Sequence, residues 1–84
     1  MVLICNNISW CCIDNCVYIV DETDWSILKL EDAAARFWIL IAETGLVEDV
    51  IKKIVEEYHV ERCVVEKDIH DYIFSMQKKG YYII

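Results

Sequence analysis

The hydrophobic periodicity of the chain changes once, and that change limits the folds open to it. From Ile8 to Leu30 the apolar residues come in short β-branched and aromatic runs broken by polar turns. From Ala33 onward they recur at i, i+3, i+4 and i+7. Alternation every second residue belongs to a strand, and a repeat of about 3.6 residues to a helix. The chain therefore reads as α+β, strands first and helices after, with no Pro to break either half. Its 84 residues leave room for one domain, 1–84. A domain of this size buries only roughly 60–65 % of its unfolded surface. A hydrophobic content of 57 % compensates, and it is rich enough to reserve some apolar surface for a partner.

Three strands are expected in the front. Ile8–Ile13 and Cys16–Val20 flank Asp14–Asn15, whose short polar side chains favour a turn. Asp21–Asp24 is a second turn, and Trp25–Leu30 a third strand. On that strand Ser26, Leu28 and Leu30 face one way, and Trp25, Ile27 and Lys29 the other. This spacing reads as an antiparallel meander.

Three helices are expected behind it. Glu31–Asp32 suits a helix N-terminus. Helix one covers Ala33–Glu43 and is apolar nearly all round, so it should be the central buried helix, stopped by Gly45. Helix two carries Val47, Val50, Ile51, Ile54, Val55 and Tyr58 on one stripe and charged residues on the other. His59–Cys63 is a connection. Helix three spans Val64–Lys79 with the stripe Val65, Ile69, Tyr72, Ile73 and Met76, and Gly80 closes it. Tyr81–Ile84 either packs against the bundle or pairs as an edge strand. Strands then helices, the last two tightly joined, make a winged helix-turn-helix-like unit: a three-stranded antiparallel β-sheet followed by a three-helix bundle.

Charge narrows the function. Eight basic residues face fifteen acidic ones, for a formal charge of −7. Such a field repels phosphates and anionic lipid, which argues against nucleic acid and membrane as partners. A cationic or apolar peptide is compatible with it. No apolar block approaches the ~20 residues of a membrane span. Met1–Cys5 lacks the basic region of a signal peptide. Five cysteines, an odd number, read as free thiols in the cytoplasm. Cys11, Cys12 and Cys16 are close, but no second pair follows and adjacent strand cysteines point to opposite faces, so no metal site is expected. His59 and His70 lack an evident nucleophile or acid partner, and no Gly-rich phosphate loop exists, so neither catalysis nor a cofactor is expected.

Three segments carry a family resemblance. Leu28–Trp38 is similar to the "L-x-L-N-x-(T/S)-A-x-x-(I/F)-W" segment of the PqqD-like family, named for a protein of pyrroloquinoline quinone biosynthesis. Thr44–Ile51 is similar to its "D-G-x-x-T-V-x-E-I". Tyr58–Val60, Val65, Asp68–Ile69, Tyr72–Ile73, Met76 and Gly80 resemble its third segment. The match runs from about Val17 to Ile84. Glu31 stands for the usual Asn, Thr44 for the usual acid before Gly45, and the first hairpin is rich in Cys.

The resemblance implies a precursor-peptide recognition element. Such domains bind the leader of a ribosomally made peptide by strand addition and present it to a modifying enzyme. The docking edge would then be Trp25–Leu30, and the trough would lie between it and helix three. Trp25, Ser26, Ile27, Leu28 and Lys29 become candidate contacts on the strand, with Asp68, Asp71, Tyr72 and Ser75 on the helix. Trp25 and Ile27 could equally cover the domain's own core, and Asp68 could simply answer the helix dipole. Phe74 lies outside the core stripe and is a candidate docking point for the enzyme. Two other readings remain open: a winged-helix transcriptional regulator, and a structural homodimer held by surplus apolar surface such as Met1–Ile4.

Overall fold

Asp14 and Asn15 both adopt left-handed backbone, with φ of 51° and 65°. Two such residues make the tight turn whose twist matches antiparallel strands. The turn sets the register of the first hairpin, with Ile13 opposite Cys16 and Ile8 opposite Asp21. The computed structural model describes all 84 residues. In chain order they form β1 (Leu3–Ile4), β2 (Ile8–Ile13), β3 (Cys16–Asp21), β4 (Ser26–Leu30), α1 (Asp32–Thr44), α2 (Val47–Tyr58), α3 (Arg62–Lys78) and β5 (Tyr82–Ile83). Strands β2, β3 and β4 make one antiparallel sheet in that order. The three-stranded sheet and the three helices match the sequence reading.

The expected third strand is one residue too long. Trp25 lies in a turn with φ of 62° and is 71 % exposed. Local bonds override its strand preference. The Asp21 carboxylate accepts from the Thr23 N–H and from Asn7, the Trp25 N–H donates to the Asp21 carbonyl, and Asp24 accepts from the Ser26 N–H and hydroxyl. Short acidic side chains stabilise a turn in this way. Trp25 and Ile27 are both exposed, so neither covers the core.

Helix α3 begins at Arg62, two residues earlier than the periodicity suggests. The Arg62 guanidinium reaches both Glu48 of α2 and Glu66 one turn on. That fork holds the first turn in place without any apolar contribution. The connection shrinks to His59–Glu61, opened by His59 at φ 52° with its N–H bonded to the Val55 carbonyl.

A second, two-stranded sheet is absent from the sequence reading. Leu3 pairs with Ile83 and Ile4 with Tyr82, antiparallel. The Val2 N–H donates to the Gly45 carbonyl and the Cys5 N–H to that of Tyr81. Tyr81–Ile84 thus contributes an edge strand, but its partner is the other end of the chain. The core lies between the inner face of the large sheet and the helices. Val17 and Ile19 of β3 are fully buried beneath Trp38 and Leu40 of α1, Val50 of α2 and Ile69 of α3.

Gly45 closes α1 at φ 70°, where an added Cβ would sit 3.3 Å from both the Val2 carbonyl oxygen and Met1 Cγ. Gly80 has φ 80° and nothing near it. Left-handed backbone costs a non-glycine residue about 1–2 kcal/mol. Gly80→Ala should therefore lower stability by about that amount, and Gly45→Ala by more, because Met1 and Val2 must also move. Urea unfolding of the two variants checks the order, and equal losses would show that Met1–Val2 is not packed on Gly45.

Candidate peptide-binding site

Strand β4 pairs only with β3, so its other edge is open. An open edge presents unpaired N–H and C=O groups. Its side chains divide as the alternation requires. Leu30 is buried and Leu28 half-buried against the helices, while Ile27 is 69 % exposed on the opposite face. Lys29 shares that outer face, pairs with Glu31 at 2.9 Å and lies over the Tyr18 ring. Ile27 and Lys29 therefore point away from α3. They could touch only the outward side chains of an added strand, and Leu28 is the β4 residue directed to the trough side. Ser26 sits at the start of the edge with its hydroxyl bonded to Asp24 at 2.7 Å.

Helix α3 carries the other candidate wall. Asp68, Tyr72 and Ser75 follow one another at helical spacing, with Asp71 at their margin. Asp68, Asp71 and Ser75 are exposed. Tyr72 is half-buried, its ring 5.3 Å from Phe37 of α1 and its hydroxyl 2.7 Å from that of Tyr82. The sequence reading offers Tyr72 as a polar contact, and its hydroxyl is shared with that of Tyr82 on β5. Phe74 lies outside this wall, 60 % exposed, with the Lys78 ammonium 4.9 Å above its ring.

Below Asp68 the wall opens into a cavity of about 220 Å³. Ala33 and Phe37 of α1, Ile54 and Tyr58 of α2, Val60, and Val64 and Val65 of α3 line it, and Asp68 is its one charged residue. Of these, Tyr58, Val60 and Val64 are substantially exposed. No sequence reading placed a pocket here. The available signal was Val60 and Val64, two apolar residues off the α3 stripe beside a helix junction. The glutamate at position 31 makes no side-chain cap to α1. Its carboxylate is drawn to Lys29, which holds it below the usual carboxylate range through that hydrogen bond.

Both histidines and Cys63 are exposed. All five thiols are free, and no three metal-ligating side chains come together. No helix is long and apolar enough to cross a membrane.

These features define a winged-helix-like domain with an open sheet edge on β4 and an apolar cavity between its helices. The profile of coenzyme PQQ synthesis protein D (PqqD) matches residues 16–81, and the chain belongs to that family. Comparison with curated proteins finds no match. Among solved structures, TbiB1 in complex with the TbiA(beta) leader peptide is similar with a TM-score of 0.89 and 25 % identity, over 94 % of this chain and 92 % of that one. A lasso peptide synthetase B1 complexed with the leader peptide has the same fold, with a TM-score of 0.88 and 24 % identity over 99 % and 98 % of the two chains.

The Tyr72–Tyr82 contact gives the site a pH signature. Burial pushes both phenols well above their ordinary value. A group whose folded pKa is raised contributes its stability below the unfolded pKa, here about 10, and loses it as pH climbs further. Stability to urea should therefore fall steeply above about pH 10. Tyr82→Phe should cost about 1 kcal/mol at neutral pH and flatten that alkaline fall, and an unchanged slope would mean the phenols are not buried together.

Proposed function

We propose that this chain is a non-catalytic module that captures the leader of a ribosomally made precursor peptide along β4 and presents it to a peptide-modifying enzyme. The observation that carries the reading is the open edge of β4, and the apolar cavity between the helices offers room for a side chain. The fold is also that of TbiB1, solved with a leader peptide bound. Five free thiols suit a reducing compartment, and the cytoplasm fits this role.

Magnitudes divide the work between edge and cavity. A five-residue strand turns about half its residues outward, so an added strand gains roughly four to six backbone bonds of about 0.5–1.5 kcal/mol net each. Association costs about 4–15 kcal/mol in lost freedom, before ordering of the peptide. The edge alone therefore fixes register and direction but scarcely holds the peptide. Burying about 100 Å² of apolar side chain in the cavity adds about 2.5 kcal/mol. A leader with one large apolar anchor in the cavity and tolerant positions along β4 fits both features.

Recognition of DNA finds no support in the same geometry. The helix a winged-helix reader would insert is α3, whose exposed Lys67, Lys78 and Lys79 are offset by Asp68 and Asp71.

Val64 tests the reading, because it lines the cavity while half of it is exposed. Val64→Asp should leave the fold intact and weaken binding of the leader encoded beside this chain by about tenfold or more in calorimetry, since a charge would enter an apolar site. Wild-type affinity in the folded variant would remove the cavity from the account. No heat with the unaltered protein at high peptide concentration would remove the function.

A further inference from the structure

We propose that the outer face of the β2–β3–β4 sheet is the surface on which the modifying enzyme docks, and that the enzyme meets it with an apolar patch ringed by basic side chains. This rests on the reading that the chain delivers a leader to such an enzyme, and it adds where and by what chemistry.

The face is anomalous for its position. All core contacts with the helices come from the other side of the sheet, where Val17 and Ile19 are buried. A solvated face of an antiparallel sheet ordinarily carries polar residues. Here the register places Cys11 beside Tyr18, Ile13 beside Cys16, and Val20 beside Ile27. Ile13 is 54 % and Ile27 69 % exposed. Of the polar side chains on the face, Ser9 and Lys29 are each occupied by an acid, Glu22 and Glu31 respectively. An apolar patch of this kind on a small domain marks an interaction surface.

The margin decides the partner. Asp14 at the hairpin turn, Glu22 and Asp24 at the next turn, and Glu31 after β4 surround the patch, and its only cation is the paired Lys29. A second copy of the chain would bring two acidic margins together, which like-charge repulsion opposes. A partner with an apolar centre and a basic rim complements both parts. The patch is also continuous with the β4 edge. A leader strand added there would turn every second side chain onto this same face, beside Ile27. The enzyme would then meet module and leader as one surface, so an occupied module should bind it more tightly than an empty one.

Ile13 tests this, since it lies on the strand farthest from the leader edge. The purified peptide-modifying enzyme encoded beside this chain is titrated against the full chain by biolayer interferometry, with and without leader. Ile13→Lys should weaken the enzyme about tenfold or more and leave leader affinity unchanged. Phe74→Asp, in the helical layer, should leave both unchanged. Added leader should strengthen wild-type enzyme binding. Wild-type enzyme affinity in Ile13→Lys, or loss of it in Phe74→Asp, would overturn the proposal while leaving leader capture standing. A homodimer seen by sedimentation and dissolved by Ile13→Lys would overturn it in favour of a second copy. Failure of the wild-type chain to bind leader at all would instead defeat the underlying reading, and this proposal with it.

Discussion

The packing around Trp38 joins every part of the domain. Its side chain is fully buried, stacked on Tyr82 at 5.1 Å between centroids and met edge-on by Trp10 at 6.0 Å and Tyr81 at 6.5 Å. One indole thus links α1 to the large sheet and to the strand at the chain's end. Aromatic pairs of this geometry add about 0.5–1.5 kcal/mol each beyond the area they bury. That matters here because the Trp38 N–H is the one buried side-chain polar atom without a hydrogen-bond partner. Leaving such a donor unpaired costs about 1–3 kcal/mol, an amount three aromatic contacts can offset. The cluster continues through Tyr82 and Tyr72 to Phe37, so Tyr72 on α3 is braced by the same side chains that hold the core.

From that packing follows a sheet with one covered face. The helices use up the inner face, and the ends of the chain are tied off by pairing with each other. What remains unpaired, besides the outer edge of β2, is the edge of β4 and the outer face beside it. Both are apolar or hydrogen-bond-hungry surfaces on a small acidic domain. Long exposed edges invite aggregation. Here the edge is short, five residues, and its entrance is shaped by the Asp21 and Asp24 turn.

Most of the fold could be read from local chemistry. The period change at residues 30–33, the Asp14–Asn15 turn and the glycines at 45 and 80 each act over a few residues, and the structure keeps them all. What was hidden depends on distant partners. The pairing of Leu3–Ile4 with Tyr82–Ile83 joins the chain's two ends, and no local pattern encodes it. Trp25 reads as strand because aromatics favour strands, yet the turn bonds made by Asp21, four residues before it, and Asp24, its neighbour, bend the backbone first. The early start of α3 depends on Arg62 reaching Glu48, fourteen residues back. In the site, the choice of β4 and α3 came from the family motif, and the structure leaves the β4 edge open and puts Asp68 of α3 at the cavity. The cavity at the α2–α3 junction needed three helices in place before its lining could be seen. Tyr72 shows the same limit: its type and face were legible, but its bond to Tyr82 was not.

The central claim is that an extended peptide adds to β4. Amide hydrogen exchange of the labelled protein, measured with and without the leader encoded beside it, reads that edge directly. Strand addition should slow exchange at alternate amides of Ser26–Leu30, those facing away from β3, with shifts spreading to Asp68, Tyr72 and Ser75 on α3. Saturable binding that leaves every β4 amide exchanging at its free rate would contradict the account, because the leader would then be held somewhere other than the open edge.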